Sequence, residues 1–236
     1  MKENFLGVDV CSDNYEQLTV SLLNDIESDK KSFIVAINPE KIMKAQEDEK
    51  LLNLLNQASY QIPDGIGIIV ASKMKGGKIR QRVTGIDMML KLCETASEHN
   101  KKIFLYGAKP GIADEAKMSL EKQFPAIQIV GTINGYEKNQ QVIQQTINDS
   151  KADIVFVALG SPTQEYWIVN NMNTLYPSVY QGVGGSFDVI SGRVQRAPEI
   201  FQKFGLEWLY RLLKEPWRWK RQLILPKFLL KALRRS

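Results

Sequence analysis

Histidine is nearly absent from this 236-residue chain: His99 is the single one, set in the polar stretch SEHNKK at what reads as a helix end. The two cysteines, Cys11 and Cys93, lie far apart and form no CxxC pair. A zinc site and a disulfide framework therefore both lack their residues, and each cysteine reads as a small buried hydrophobe in a reducing compartment. The glycines form neither a GxGxxG fingerprint nor a GxxxxGK[ST] loop, which removes the sequence support for hydride transfer and for P-loop nucleotide hydrolysis. No DxD acid pair occurs either. Any phosphate chemistry must then rest on arginine, helix N-termini and backbone N–H groups rather than on a metal. No apolar run approaches the ~18 residues of a membrane span. The opening MKENFLGVDVCSDNYEQL has an acid by residue 3 and no apolar core, which argues against a signal peptide and for a cytoplasmic protein.

What is present is a chain that is 44% hydrophobic, enough to bury a core as one large domain or one domain with an appendage. Its net charge of +5 is unevenly placed. From Arg193 to Ser236 there are twelve Lys or Arg against three acids, whereas the preceding residues carry a slight acidic excess. The basic character belongs to the tail.

Short apolar runs recur, each leading into an amphipathic stretch: SFIVAI (32–37), GIIVA (67–71), KIFLYG (102–107), IQIVG (127–131), DIVFVALG (153–160) and VYQGVGG (179–185). They predict strands. Helical patterns near 14–28, 39–57, 84–99, 111–124, 137–149 and 162–173 lie between them. This alternation predicts an α/β, Rossmann-like fold with a mainly parallel sheet flanked by helices, residues 1–194 forming the catalytic domain and 195–236 a basic amphipathic helical appendage. Ligands of such sheets bind at the carboxyl ends of the strands. The loops expected there, NPE, GAKPG, GSPTQE and GGSFD, are rich in Gly and polar residues. GSPTQE also reads as a helix start, with Ser161 as N-cap and Pro162 at the first helical position.

Three further stretches carry chemistry. In QIPDGIGIIV, Asp64 stands between Pro63 and Gly65; the three residues suit a turn, and equally a partly desolvated carboxylate at the sheet that serves as a base. In KIRQRVTGIDMML, Arg80 and Arg82 precede Thr84, a helix N-cap with Asp87 three residues on. A guanidinium beside a helix N-terminus suits a departing diphosphate, and a solvated basic turn is the alternative. The tail interleaves Trp208, Trp217 and Trp219 with Arg211, Arg218 and Arg221, followed by Leu223, Ile224, Leu225, Phe228, Leu229 and Leu230. That pattern fits a segment lying in a membrane interface, or a helix docked on the body or on a partner subunit.

Taken in order, NPEKIMKA, PDGIGIIVA, RVTGIDMM, FLYGAKPGIADEA, IVGTINGY, VALGSPTQEYWI, GVGGSFDVISGRVQRAP and LEWLYRLLKEPWRWKR resemble the WecG/TagA/CpsF family of bacterial glycosyltransferases over nearly the whole chain. The resemblance implies inverting transfer of an N-acetylmannosamine-type sugar from a UDP donor to a lipid-linked acceptor at the inner face of the cell membrane. It is nearest the wall teichoic acid branch, which joins N-acetylmannosamine β-1,4 to the sugar of N-acetylglucosaminyl-diphospho-undecaprenol. It implies Asp64 as general base, Arg82 as stabiliser of the UDP leaving group and Gln164 as a substrate contact in the catalytic set. The implied substrate-binding positions are Asn38, Gly65, Thr84, Asp87, Gly107, Tyr136, Gly160, Ser161, Glu165, Gly184, Gly185, Asp188, Arg193, Arg196, Arg211, Arg218 and Arg221. No cofactor and no metal are implied; the partners are UDP-N-acetylmannosamine, the lipid-linked acceptor and the cytoplasmic membrane surface, reached by the tail.

One position departs from the family pattern: Ala36 stands where a Thr is usual, two residues before Asn38. Donors carrying N-acetylmannosaminuronic acid or a capsule hexose remain alternatives, as does a noncatalytic nucleotide-sugar or lipid-binding module. Self-association through the apolar tail fits the composition. A nucleic-acid arm would be basic but would not need so many bulky apolar residues.

Overall fold

The computed structural model describes residues 1–214, 216 and 224–234. Its centre is a six-stranded sheet made of β3 (Ser32–Ile37), β4 (Tyr60–Pro63), β5 (Lys102–Gly107), β6 (Gln128–Ile133), β7 (Ile154–Ala158) and β8 (Val179–Gly182). The spatial order is β4-β3-β8-β7-β5-β6, and every adjacent pair is parallel. A separate antiparallel hairpin, β1 (Lys2–Phe5) with β2 (Val8–Cys11), precedes it. The helices are α1 (Tyr15–Glu27), α2 (Pro39–Ala45), α3 (Glu49–Gln57), α4 (Ile66–Met74), α5 (Gly85–Glu98), α6 (Ile112–Gln123), α7 (Gln140–Ser150), α8 (Thr163–Asn171), α9 (Ser186–Ile190), α10 (Glu199–Lys203), α11 (Glu207–Lys214) and α12 (Ile224–Arg234). The α/β reading of the sequence, with a parallel sheet between helices and further helices at the C-terminus, is the observed architecture.

The strand runs are apolar almost throughout because both faces of the sheet are covered. Phe33, Val35, Ile37, Phe104, Tyr106, Val155 and Val157 join one core cluster with residues of α2, α3, α7 and α8. Their neighbours one step along, Ile34, Ile103, Leu105, Ile154 and Phe156, join a second cluster with α1, α5, α6 and Phe187 of α9. The period of two in each strand thus feeds two cores at once.

Two elements differ from the sequence reading. The run at 67–71 is not a strand; it lies in α4, and the strand is Tyr60–Pro63 just before it. Five apolar residues are too few for periodicity to tell a helix from a core strand. Here Ile68 and Ala71 enter the first core cluster, to which α12 adds Phe228 and Ala232. The stretch 39–57 is two helices rather than one, because Asp48 accepts the Leu51 N–H and restarts the helix as an N-cap. The start of α8 also differs: the Ser161–Pro162 peptide is cis, Pro162 occupies the cap position and Thr163 opens the helix.

The tail is in part a docked helix. Phe228 and Ala232 of α12 are buried in the first core cluster, and the Phe228 ring lies 6.4 Å from that of Phe5 in the hairpin. Leu225 and Leu229 are partly buried, whereas Leu230 is exposed. Of the readings of the tail, this helix fits the one docked on the body: it uses its apolar side to cover α2 and α4. Trp217, Arg218, Trp219, Arg221 and Leu223 lie outside the described residues. Among the described residues no helix is long and apolar enough to cross a membrane.

Replacing Phe228 by Ala removes a fully buried ring and is expected to cost about 3 kcal/mol. Urea unfolding would show it as a lowered midpoint. An unchanged midpoint would mean that α12 is not part of the cooperative core.

Candidate active site

Strand β4 ends at Pro63, and the Asp64 N–H still donates to the Ile37 carbonyl of β3 at 2.8 Å. The acid is therefore held by the sheet itself, at the carboxyl end of two parallel strands. Gly65 then turns the chain into α4 with φ of +110°, a conformation strained for any residue with a side chain. Asn38 faces it from the end of β3: a Cβ on Gly65 would lie 3.7 Å from that of Asn38. The Asn38 side chain accepts the Lys41 N–H at 2.9 Å and caps α2.

The segment after α4 returns beside β4, where the Val83 N–H donates to the Pro63 carbonyl at 3.0 Å. This one bond brings both Arg82 and the start of α5 to the acid. Thr84 caps α5: its Oγ1 accepts the Asp87 N–H at 3.1 Å and donates to the Asp87 carboxylate at 2.6 Å. Gly85, the first residue of α5, directs its N–H at the Asp64 carboxylate. Gln181, a buried polar residue of β8, fixes the same turn by donating to the Gly85 carbonyl at 2.8 Å.

Desolvation pushes the Asp64 carboxyl above the ordinary aspartate value; the Arg82 guanidinium and the Gly85 N–H oppose the rise, the Glu207 carboxylate adds to it, and Lys41 opposes it. A half-buried acid that is more basic than usual, beside a cation and a helix N-terminus, is equipped to accept a proton. Ala36 borders this point. A Cβ built on Gly85 would lie 3.5 Å from the Ala36 methyl and 4.0 Å from Asp64 Oδ2, so this wall of the site presents a methyl group.

Arg82 does not stand free. It reaches the Glu207 carboxylate of α11 at 3.2 Å and donates to the Gln202 carbonyl at 3.1 Å. Arg196 pairs with Asp87 at 2.7 Å and with Glu207 at 3.4 Å. Residues 196–207 thus cross the mouth of the site and are tied to it by charge.

A second polar cluster lies at the ends of β3 and β8. Lys41 Nζ is 2.8 Å from Glu165 Oε1, with both side chains nearly or fully buried. Gln164 Nε2 donates to the same oxygen at 3.2 Å, and its Oε1 accepts the Gly184 N–H at 2.9 Å. Gly182 makes this possible, since a Cβ there would lie 2.6 Å from Gln164 Nε2. Both polar ends of Gln164 hold protein groups, so it fixes the turn after β8, whereas Glu165 Oε2 is buried without a hydrogen-bond partner.

Of the positions expected from sequence, Asn38, Asp64, Gly65, Arg82, Thr84, Asp87 and Arg196 form one connected group, while Gln164, Glu165 and Gly184 form the adjoining one. Gly160, Ser161, Gly185 and Asp188 lie in or next to the loops after β7 and β8. Gly107 ends β5 and Tyr136 follows β6, four and five strands across the sheet from β4, or about 19 and 24 Å at the usual strand spacing. Arg193 is not in either group; it is largely exposed and pairs with Glu115 of α6. Arg80 is exposed and makes only a local contact, to the Ile79 carbonyl at 3.5 Å. Arg211 lies in α11 with its side chain outside the description, as do Arg218 and Arg221 entirely. Among the described residues no group of three or more His, Cys, Asp or Glu is arranged to hold a metal ion.

Lys41, Gln181 and Glu207 were missed in the sequence. Each carried a weak sign: a lysine in the first turn of a helix, where the dipole disfavours it, a glutamine inside an apolar strand, and an acid in a basic tail.

The fold and site define an α/β protein with a desolvated acid, a guanidinium and a helix N-terminus gathered at the carboxyl edge of a parallel sheet. Family comparison makes this specific: the chain matches the model of the glycosyl transferase WecG/TagA/CpsF family over residues 3–236 and belongs to that family. It is 39% identical over 209 residues to an N-acetylglucosaminyldiphosphoundecaprenol N-acetyl-beta-D-mannosaminyltransferase of Bacillus spizizenii, covering 89% of this chain and 81% of the relative. The protein of the same description from Bacillus subtilis strain 168 is 38% identical over 201 residues, covering 85% and 78%.

Glu165→Ala would leave the Lys41 ammonium nearly buried without its counter-charge, an expected loss of about 3 kcal/mol in unfolding free energy. Glu165→Gln, which keeps the volume, should cost less by the same denaturant titration. Equal and negligible losses would show that Lys41 turns to solvent.

Proposed function

We propose that this glycosyltransferase transfers N-acetyl-D-mannosamine from UDP-N-acetylmannosamine to the N-acetylglucosamine of N-acetylglucosaminyl-diphospho-undecaprenol, with inversion. The observation that carries the mechanism is the Asp64 carboxylate, made more basic by desolvation while Arg82 and the Gly85 N–H keep its charged form accessible. The descriptions of the two Bacillus relatives support the donor and acceptor.

The chemistry follows from the groups present. A sugar hydroxyl is a weak nucleophile, so its attack on the anomeric carbon gains from a carboxylate that takes the proton as the new C–O bond forms. Asp64 takes that proton. The bond from the anomeric carbon to the diphosphate breaks on the opposite face, and its electron pair leaves on UDP. In this reading Arg82 stabilises that anion without a metal. Asn38, which caps α2 beside Gly65, is in the same reading the polar group offered to the sugars.

In this reading the segment from 195 onward completes the site through Arg196, which is paired with Asp87 of α5. It also offers a membrane-facing surface: Ile200, Phe204 and Leu213 are exposed beside the exposed Lys203 and Lys214. Apolar residues among cations suit an anionic lipid surface, where the polyprenyl acceptor resides. The protein then works as a peripheral enzyme on the cytoplasmic face.

UDP release from UDP-N-acetylmannosamine with a short-chain lipid acceptor tests the reading. Wild-type release should depend on acceptor and survive EDTA, and Asp64→Asn should lower it by about 10²–10⁴-fold. Equal release by both proteins would remove Asp64 from the chemistry.

The pH dependence has a definite sign. The base must be ionised, so turnover should fall with decreasing pH through an apparent pKa above the ordinary aspartate value, and an acid limb at or below that value would contradict the role. The raised pKa also means that ionised Asp64 costs folding stability at neutral pH, because the native state holds the proton more tightly than the unfolded chain. Asp64→Asn should therefore unfold no more easily than wild type at pH 7.

A further inference from the structure

Glu207 is the group at this site for which the transfer reaction has no role. Its two carboxylate oxygens are divided between two arginines: Oε2 lies 3.2 Å from Arg82, and Oε1 lies 3.4 Å from Arg196. All three side chains are largely covered, with 17% exposure for Arg82 and Glu207 and 21% for Arg196. An anion with separate oxygens bridging two guanidiniums beside a capped helix N-terminus is the arrangement a phosphoryl group adopts in an arginine site. Glu207 is also one of two anions facing the same cation, since Arg82 acts on Asp64 as well. Repulsion between the two carboxylates adds to the rise in the Asp64 pKa.

We propose that Glu207 is an internal stand-in for the diphosphate of the nucleotide sugar, occupying the Arg82–Arg196 anion site until the donor displaces it. The proposal rests on the transferase reading and deepens it, by coupling donor occupancy to the segment that crosses the site. Glu207 opens α11, and Arg82 also holds the Gln202 carbonyl of α10. A diphosphate that takes Arg82 and Arg196 therefore releases both ties at once. Arg196 keeps its second partner, Asp87, at 2.7 Å, so the anion site stays anchored to α5 while α10 and α11 are freed. A role in which Glu207 merely positions Arg82 makes the opposite prediction, because loss of its charge would then weaken the site for any anion.

The experiment is titration of wild type and Glu207→Gln with UDP and with inorganic diphosphate by calorimetry, with hydrogen exchange of residues 199–214 followed in the wild type. Thermal unfolding of both proteins checks that the variant is folded, and Glu207→Asp, which keeps the charge on a shorter arm, serves as a second variant. Removal of the competing charge should tighten both ligands by about 10-fold in Glu207→Gln and much less in Glu207→Asp. UDP should speed exchange in 199–214 of the wild type. Unchanged or weaker binding in Glu207→Gln, or slower exchange in 199–214 on adding UDP, would overturn the stand-in role and leave the transferase reading intact. Absence of UDP binding by both proteins would overturn the two together.

Discussion

A carboxylate taken partly out of water at the end of a parallel strand is the constraint on which the rest of this structure depends. Desolvation disfavours its charge, and the fold answers with a guanidinium and a helix N-terminus on one side and with strand hydrogen bonding of its own backbone on the other. The balance leaves the acid more basic without making its ionised form inaccessible. Each supporting element traces to a small local choice. Gly65 permits the turn, the Val83-to-Pro63 bond returns the chain, and Thr84 starts α5 at the point where its first N–H meets the acid.

Charge is arranged around that acid in alternation. Arg82 lies between Asp64 and Glu207, while Arg196 lies between Glu207 and Asp87. The net balance of these five groups is close to neutral, which lets them be covered together by residues 196–207. On the proposed reading, a substrate carrying a diphosphate disturbs such a chain of pairs, because it competes for the same guanidiniums. The adjoining Lys41–Glu165 pair is of another kind: it is buried, tied to Gln164, and holds the turn after β8 in place.

Much of this was legible beforehand, for reasons that differ among the residues. Strands such as 32–37 and 102–107 are legible because burial on both faces demands continuous β-branched and aromatic runs. Thr84 as a cap and Asp64 in a turn are legible because caps and turns are local, whereas the strand that ends at Pro63 is not, since the run after the acid is the one that reads as a strand. The run 67–71 was misread because five apolar residues are too few to show a helical period, and the cover supplied by α12 comes from more than 150 residues away in the chain. The N-terminal hairpin turns through Leu6 and Gly7, both at positive φ, and a leucine carries no turn signal. Gln164 looked like a substrate ligand from its motif, yet both ends of its amide are engaged by the protein.

The class of fold, the turn that carries the acid, the cap beside the arginine and the family were already written in the sequence, because these depend on residue types at short, ordered spacing. Only the tertiary structure decided which charges meet. Glu207 reaches Arg82 across 125 positions and Lys41 reaches Glu165 across 124, and no local pattern encodes pairings at that separation. Coulomb attraction acts through space rather than along the chain, so those pairs exist only once the sheet has brought the strand ends together and the tail has crossed them.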